Sequence, residues 1–437
     1  MGKQEARQLH ESELRFEVYL GAIVGSLGDM RRIEPAKSYC TGLLLPGERK
    51  SVEPMAAQLA PERVSAKHQS LHNVVANAAW DDAAMLAAVR GQVIPAIERH
   101  GPILYAILDD SGIPKQGKHS VGVARQYCGN LGKVDNCQVA VSLSVANDHA
   151  SLPIAYRLYL PQDWAEDNKR RKTAGVAKEV AFATKPAIAL GQLRQALHVG
   201  VPVGIVLADA AYGVDTDFRA GVSELALSYV LGVQSTTTVW QPGTGPLPPL
   251  PYSGRGRRPT RLRRDADHQP VSVKDLAMGL PAHTWHKVAW REGSNGELAS
   301  RFAAVRVRPA HDDQQRSEPW PEEWLLIEWP KAEDKPTQYW FSNLPPRTKL
   351  QKLVRAAKAR WIIERDYEEL KQEVGLDHYE GRGWRGFHHH ASLCIAAYGF
   401  LAAERCLFPP QRQFIRERIK APALPQGFHP RGSAHPA

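Results

Sequence analysis

The sequence predicts an α/β protein: a mixed sheet flanked by helices, with a helical N-terminal segment and a β-rich insertion. Three observations carry that prediction. Short runs rich in apolar, β-branched and aromatic residues, such as PILYAIL, NCQVAVSLSVAND and VPVGIVLADAAYG, are bounded by turn formers, as strands are. Between them lie segments whose apolar residues recur at helical spacing. A stretch dense in Pro, Gly and Arg then breaks the rhythm, and a second group of strands follows.

At 437 residues the chain is too long for one ordinary core. Residues 1–100 read as a helical domain, with Val75, Ala78, Ala79, Leu86, Val89 and Val93 keeping rough helical spacing. That domain could bind DNA or simply pack as a bundle; no recognition helix can be named. Residues 101–235 form the first part of an α/β core, with strands at PILYAIL, 136–148 and 150–161 and a loop at DNKRRKTAG. A helix starts at Thr184 with Pro186 in its first turn and stops at Gly200. VPVGIVLADAAYG is apolar on both faces, as a central strand should be, and LSYVLGVQSTTTVW (227–240) is the next strand.

Residues 236–346 read as a β-rich domain inserted into that core. Its strands are TWHKVAWRE, RFAAVRVRP, EEWLLIEWP and TQYWFSN, with Trp285, Trp290, Trp324 and Trp329 expected to fill its interior. The core resumes over 347–406 with one long helix, capped by Thr348 and stopped by Gly375, and a second helix near 388–406. The rest, 407–437, is Pro-rich and basic and is expected to be disordered.

Charge narrows the partners. Lys and Arg outnumber Asp and Glu by 56 to 46, for a formal net charge of +10. That excess suits nucleic acid first and acidic lipid second. It is concentrated in PYSGRGRRPTRLRR (251–264), which has six arginines and no acid. Five widely spaced cysteines without a CxxC pair argue against a disulfide framework and a zinc module. No secretory signal or membrane-spanning run is evident, so a cytoplasmic protein is expected.

Three carboxylates stand out. Asp110, beside Asp109, and Asp209 close apolar strand-like runs, and Glu364 lies in the charged helix ARWIIERDYEELK. A carboxylate at the end of a buried strand is costly unless it is paired or bound to a cation. Three converging would make a hard-metal site suited to phosphoryl transfer. Arg360, Glu364 and Lys371 fall near 0°, 40° and 20° at about 100° per residue, so they share a helix face. The plainer readings are turn or capping aspartates and an exposed i,i+4 ion pair. His388, His389 and His390 read as a solvated or DNA-facing run. Trp384 either stacks on a base or packs.

LDDSGIPKQGKHSVGVARQYCG, LADAAYG and RWIIERDYEELKQEVGLDHYEGRGWRGFHHH together resemble the DDE-type transposases of bacterial insertion sequences. The resemblance is to the branch with a Tyr-x2-Arg-x3-Glu-x6-Lys signature, which Arg360-x3-Glu364-x6-Lys371 matches while Ala357 replaces the tyrosine. It implies an RNase H-like core in which Asp110, Asp209 and Glu364 are catalytic and hold two Mg²⁺ ions, for which Mn²⁺ can substitute. Asp110 is preferred to Asp109 because Ser111 follows it directly. Arg360, Lys371, Lys115, Lys118, Arg382 and Arg385 would contact DNA. The implied partners are double-stranded DNA, as terminal inverted repeats and target, and a second copy in a homodimer on DNA, with association to the nucleoid when bound. The implied activity is cleavage at the element's ends followed by strand transfer. The competing readings are a non-catalytic DNA-binding descendant of such an enzyme and, less well supported by the basic excess, a two-carboxylate carbohydrate hydrolase.

Overall fold

The computed structural model describes residues 3–293 and 296–408, so most of the tail expected over 407–437 lies outside the described residues. Five helices come first: α1 (Lys3–Val24), α2 (Met30–Leu44), α3 (Val52–Leu59), α4 (Val64–His72) and α5 (Asp82–Glu98). Strands follow from residue 105: β1 (Tyr105–Pro114), β2 (Ala124–Cys128), β3 (Lys133–Ala146) and β4 (Ser151–Leu158). All pair antiparallel on β3, with β2 on its first residues and β4 on its last.

The stretch expected as a loop at DNKRRKTAG is instead helical. After α6 (Gln162–Glu166), Asp167 caps α7 (Asn168–Ala174) by accepting a hydrogen bond from the Arg170 amide at 2.9 Å. Next come α8 (Lys185–His198), with Thr184 as its side-chain cap as expected, β5 (Ile205–Ala208), α9 (Ala210–Gly213), α10 (Thr216–Glu224) and β6 (Tyr229–Val233). β5 runs parallel to both β1 and β6. Three antiparallel strands continued by two parallel ones, with helices on the faces, make an RNase H-like core.

The β-rich segment does not stand apart from that core. It contains β7 (Thr238–Trp240), β8 (Val271–Ser272), α11 (Val273–Met278), β9 (His286–Gly293), β10 (Gly296–Pro309), β11 (Glu323–Trp329) and β12 (Gln338–Ser342). β12 pairs antiparallel with β6, so the core sheet runs on through β11 and β10 into one sheet of 12 strands. Composition marked this segment as β-rich but could not show that its last strand returns to an open edge. Trp285, Trp290, Trp324 and Trp329, expected in its interior, are half-buried, with Arg301 over Trp329, Arg306 over Trp324 and Lys358 over Trp290, while Trp240 and Trp340 are buried.

The long helix expected from Thr348 is two helices. α12 (Leu350–Lys358) has Lys349 rather than Thr348 at its cap, with no side-chain hydrogen bond, and α13 (Trp361–Gln372) begins after a break at Ala359 and Arg360. Gly375, at φ +78°, ends the segment in the left-handed region, as a stop glycine does. α14 (Trp384–Leu407) is apolar on nearly every side and is correspondingly buried, against α5, α2 and β4. Tyr19 donates to the Ala396 carbonyl at 2.8 Å, and Arg15 grips Glu404 through two bonds of 2.7 Å. The N-terminal helices thus share the core of α14.

Candidate functional site

β1 is where the site begins. Tyr105 to Leu108 are buried, and the strand registers with β5 at Tyr105↔Ile205, Ala106↔Val206 and Ile107↔Leu207. Both aspartates lie within β1, just beyond that pairing, and successive strand residues face opposite ways. Carried two residues past the end of that pairing, the register would bring Asp109 opposite Asp209, whose charge the Asp109 carboxyl feels. Asp110 faces the other way.

On the Asp109 face, the Arg360 guanidinium stands 2.9 Å from Asp109 Oδ1. Burial pushes the Asp109 carboxyl up to about 6; Arg360 opposes the shift, while the Asp209 and Asp110 charges add to it. Asp209 caps α9, accepting from the Ala211 amide at 2.9 Å. Its turn is pressed against β6, since a Cβ on Gly213 would lie 1.8 Å from the Gly232 carbonyl oxygen. Only glycine fits there, and that contact sets where Asp209 sits.

α13 covers the same face. The buried Tyr367 faces Ser142 and Ser144 of β3, and Ser142 is the register partner of Asp109. Lys371 lies in reach of the Asp377 and Asp109 charges, while burial lowers its pKa. Arg360, Tyr367 and Lys371 therefore form one stripe toward Asp109. Glu364, exposed in the first turn of α13, lies on that stripe one turn beyond Arg360.

Asp110 is engaged elsewhere. Tyr212 donates its hydroxyl to one carboxylate oxygen, and Lys185 Nζ lies 2.6 Å from the other. Burial, then the Asp110 charge, drives the Tyr212 hydroxyl far above its ordinary pKa. The trio braces β1, the start of α8 and the turn after Asp209.

The three acids expected to meet do not all meet. Asp209 faces Asp109, Asp110 turns away, and Glu364 remains on the covering helix. Among the described residues no three His, Cys, Asp or Glu side chains stand together as metal ligands. The donor chemistry still suits a hard divalent cation, because Asp109 and Asp209 are like charges on one face with only carboxylate oxygens to offer.

Of the expected DNA-contacting cations, Arg360 and Lys371 face the carboxylates. Lys115 Nζ donates to the Tyr379 carbonyl at 2.7 Å. Lys118, Arg382 and Arg385 are exposed. The histidine run is not solvated but buried: His389 stacks on Trp80 with centroids 3.6 Å apart, and His390 lies 2.9 Å from the Tyr39 hydroxyl and 3.0 Å from the Gly375 carbonyl. Trp384 packs on His388 at 4.4 Å. Sequence reasoning missed Tyr367 and the Tyr212–Lys185 brace. Tyr367, seven residues after Arg360, was within reach of the same helical arithmetic; Lys185 had no local signal.

The fold is an RNase H-like α/β core with acidic side chains at the end of β1 and a cation-bearing helix across from them. The DDE superfamily endonuclease family matches residues 24–297, more than half the chain, and the chain belongs to that family. Both strand-borne aspartate positions fall within the match, and Glu364 lies beyond it. The chain is also similar to a probable transposase for insertion sequence element IS701 from Microchaete diplosiphon, at 29% identity over 208 residues, 47% of this chain and 50% of the relative. It thus spans about half the length of that relative. Among the described residues no helix is long and apolar enough to cross a membrane.

Proposed function

We propose that this protein is a transposase that cuts DNA at the ends of an insertion sequence and joins them to a target, with Asp109, Asp209 and Glu364 as its catalytic carboxylates. The observation that carries the reading is the shared face of Asp109 and Asp209 beneath the Arg360–Glu364–Lys371 stripe. Glu364 would approach by a side-chain rotation on α13, since its side chain is exposed. Mg²⁺, or Mn²⁺ in its place, would supply activation of the attacking water or 3′-hydroxyl and neutralise the leaving oxygen when bound by these carboxylates. Arg360 would release Asp109 and turn to the scissile phosphate, with Lys371 one further contact along the same face. Tyr367 and the closely packed Gly213–Gly232 turn would hold the two aspartates in place. A homodimer bringing two ends together fits the same reading.

The test is a donor plasmid carrying the reading frame's own flanking ends, incubated with purified protein and Mg²⁺. Cleavage at the ends is expected, together with its loss in Asp209→Ala. Cleavage that survives Asp209→Ala unchanged overturns the assignment.

A further inference from the structure

An open cleft of about 780 Å³ separates the N-terminal helices from the segment that follows α13. Arg49 and Lys50, on the connection from α2 to α3, line one side. Arg382 and Arg385 line the other, and Lys172 at the end of α7 completes the rim. Two carboxylates, Glu53 and Glu380, stand against these five basic side chains; Lys50 is buried with its ammonium on the Leu45 carbonyl, and Glu380 is tied to Arg49 in an ion pair that bridges the walls. The side chains of Lys172 and Arg382 are exposed and have no carboxylate partner among the described residues.

Half-buried lysines link the cleft wall to the carboxylate site. Lys371, beneath Asp109, and Lys115 both lie in the field of Asp377, and Lys115 is bonded to Tyr379, which lines the cleft. The backbone there is drawn in tightly, since a Cβ on Gly386 would lie 1.8 Å from the Tyr379 hydroxyl oxygen. The start of α14 beside it has no side-chain cap. A volume in the range of small-molecule pockets is too small for a duplex. A groove rimmed by exposed cations, with the partly exposed His68, His72 and His378 in its lining, has the make-up of a single-strand path.

We propose that this cleft binds one DNA strand by its phosphodiester backbone as the strand leaves the carboxylate site. The inference rests on the reading of the protein as a DNA-processing enzyme, and it gives the N-terminal helices a role as one jaw of a shared grip. Glu380 acts against the ligand by occupying Arg49.

The test is binding of a fluorescent single-stranded oligonucleotide and of a matched duplex to the full chain, by anisotropy without divalent ions across a salt series. Arg382→Ala with Lys172→Ala is expected to weaken single-strand binding about tenfold and to reduce the salt slope by about 1.4, for two phosphate contacts. Glu380→Gln is expected to tighten it several-fold, a gain that misfolding cannot produce. Unchanged single-strand affinity in both variants, or an effect on the duplex alone, overturns the proposal. A wild-type protein that binds neither DNA form, while remaining folded, overturns the transposase reading on which it rests.

Discussion

Arg360 reaches across 251 residues of sequence to hold Asp109, its guanidinium nitrogen 2.9 Å from the carboxylate oxygen. The pair joins the start of α13 to β1. It also marks which of two adjacent aspartates looks toward α13. With both side chains about a quarter exposed, its worth lies in orientation more than in stability.

The first prediction separates those aspartates. Asp109→Asn is expected to lower Mg²⁺-dependent cleavage on the order of 10³-fold, with thermal stability kept or raised because its surroundings disfavour the charged carboxylate despite Arg360. Asp110→Asn is expected to retain more activity and to lose stability, since Lys185 would be left without its carboxylate. Cleavage rates and melting temperatures measured side by side decide it, and the reverse pattern would make Asp110 the ligand.

The brace behind Asp209 can be probed by Tyr212→Phe. Removing one donor from a carboxylate that keeps Lys185 is expected to cost about 1–3 kcal/mol in urea unfolding. A change within experimental error would show that the hydroxyl contributes nothing to the turn.

Lys358 of α12 is enclosed by Trp290, Trp340 and Phe302 and paired with the buried Glu328 of β11. Lys358→Met is expected to cost about 3–5 kcal/mol, because Glu328 would be left buried and unpaired. Adding Glu328→Gln should recover much of the loss. Failure of the second substitution to recover any stability would argue that shape, not charge, ties α12 to the insertion.

Stability should fall on acidification, from opposed contributions. Burial pushes His389 and His390 down to about 4, so what they contribute is complete above their ordinary 6.5 and is lost as pH falls through 4. Burial pushes Asp366 up to about 6 despite the Ser151 and Tyr398 donors, and Asp109 to about 6 as well, so their contributions are complete below 3.8 and are lost as pH rises through 6. Each shift of roughly two units corresponds to about 3 kcal/mol. Asp366→Asn removes one opposing contribution, so its stability should drop more steeply than wild type between pH 7 and 4.5, by about 2–3 kcal/mol in urea titrations. Parallel curves would show that Asp366 does not titrate in this window.

Much of this architecture was legible before any coordinates. β-branched runs with turn formers at their ends located β3, β4, β5 and β10 to β12, and a Thr-Lys-Pro start located α8. Helical arithmetic put Arg360, Glu364 and Lys371 on one face, although it assumed an unbroken helix and the chain breaks just before Arg360. Period two said that Asp109 and Asp110 must part, yet only the parallel register with β5 chooses between them. The histidine run was misread because its partners, Trp80, Val75, Tyr39 and Gly375, are long-range. Three polar rings in a row look solvated until distant carbonyls are known to receive them.

Because β12 closes onto β6, a strand finished at Val233 waits for Tyr339 before its outer edge is covered. A ribosome adding about 5–20 residues per second leaves that edge bare for several seconds or more. During this interval the nascent sheet presents an uncapped row of amides and carbonyls, open to mispairing with any neighbouring chain. Slow translation through the arginine-rich stretch would lengthen that exposure.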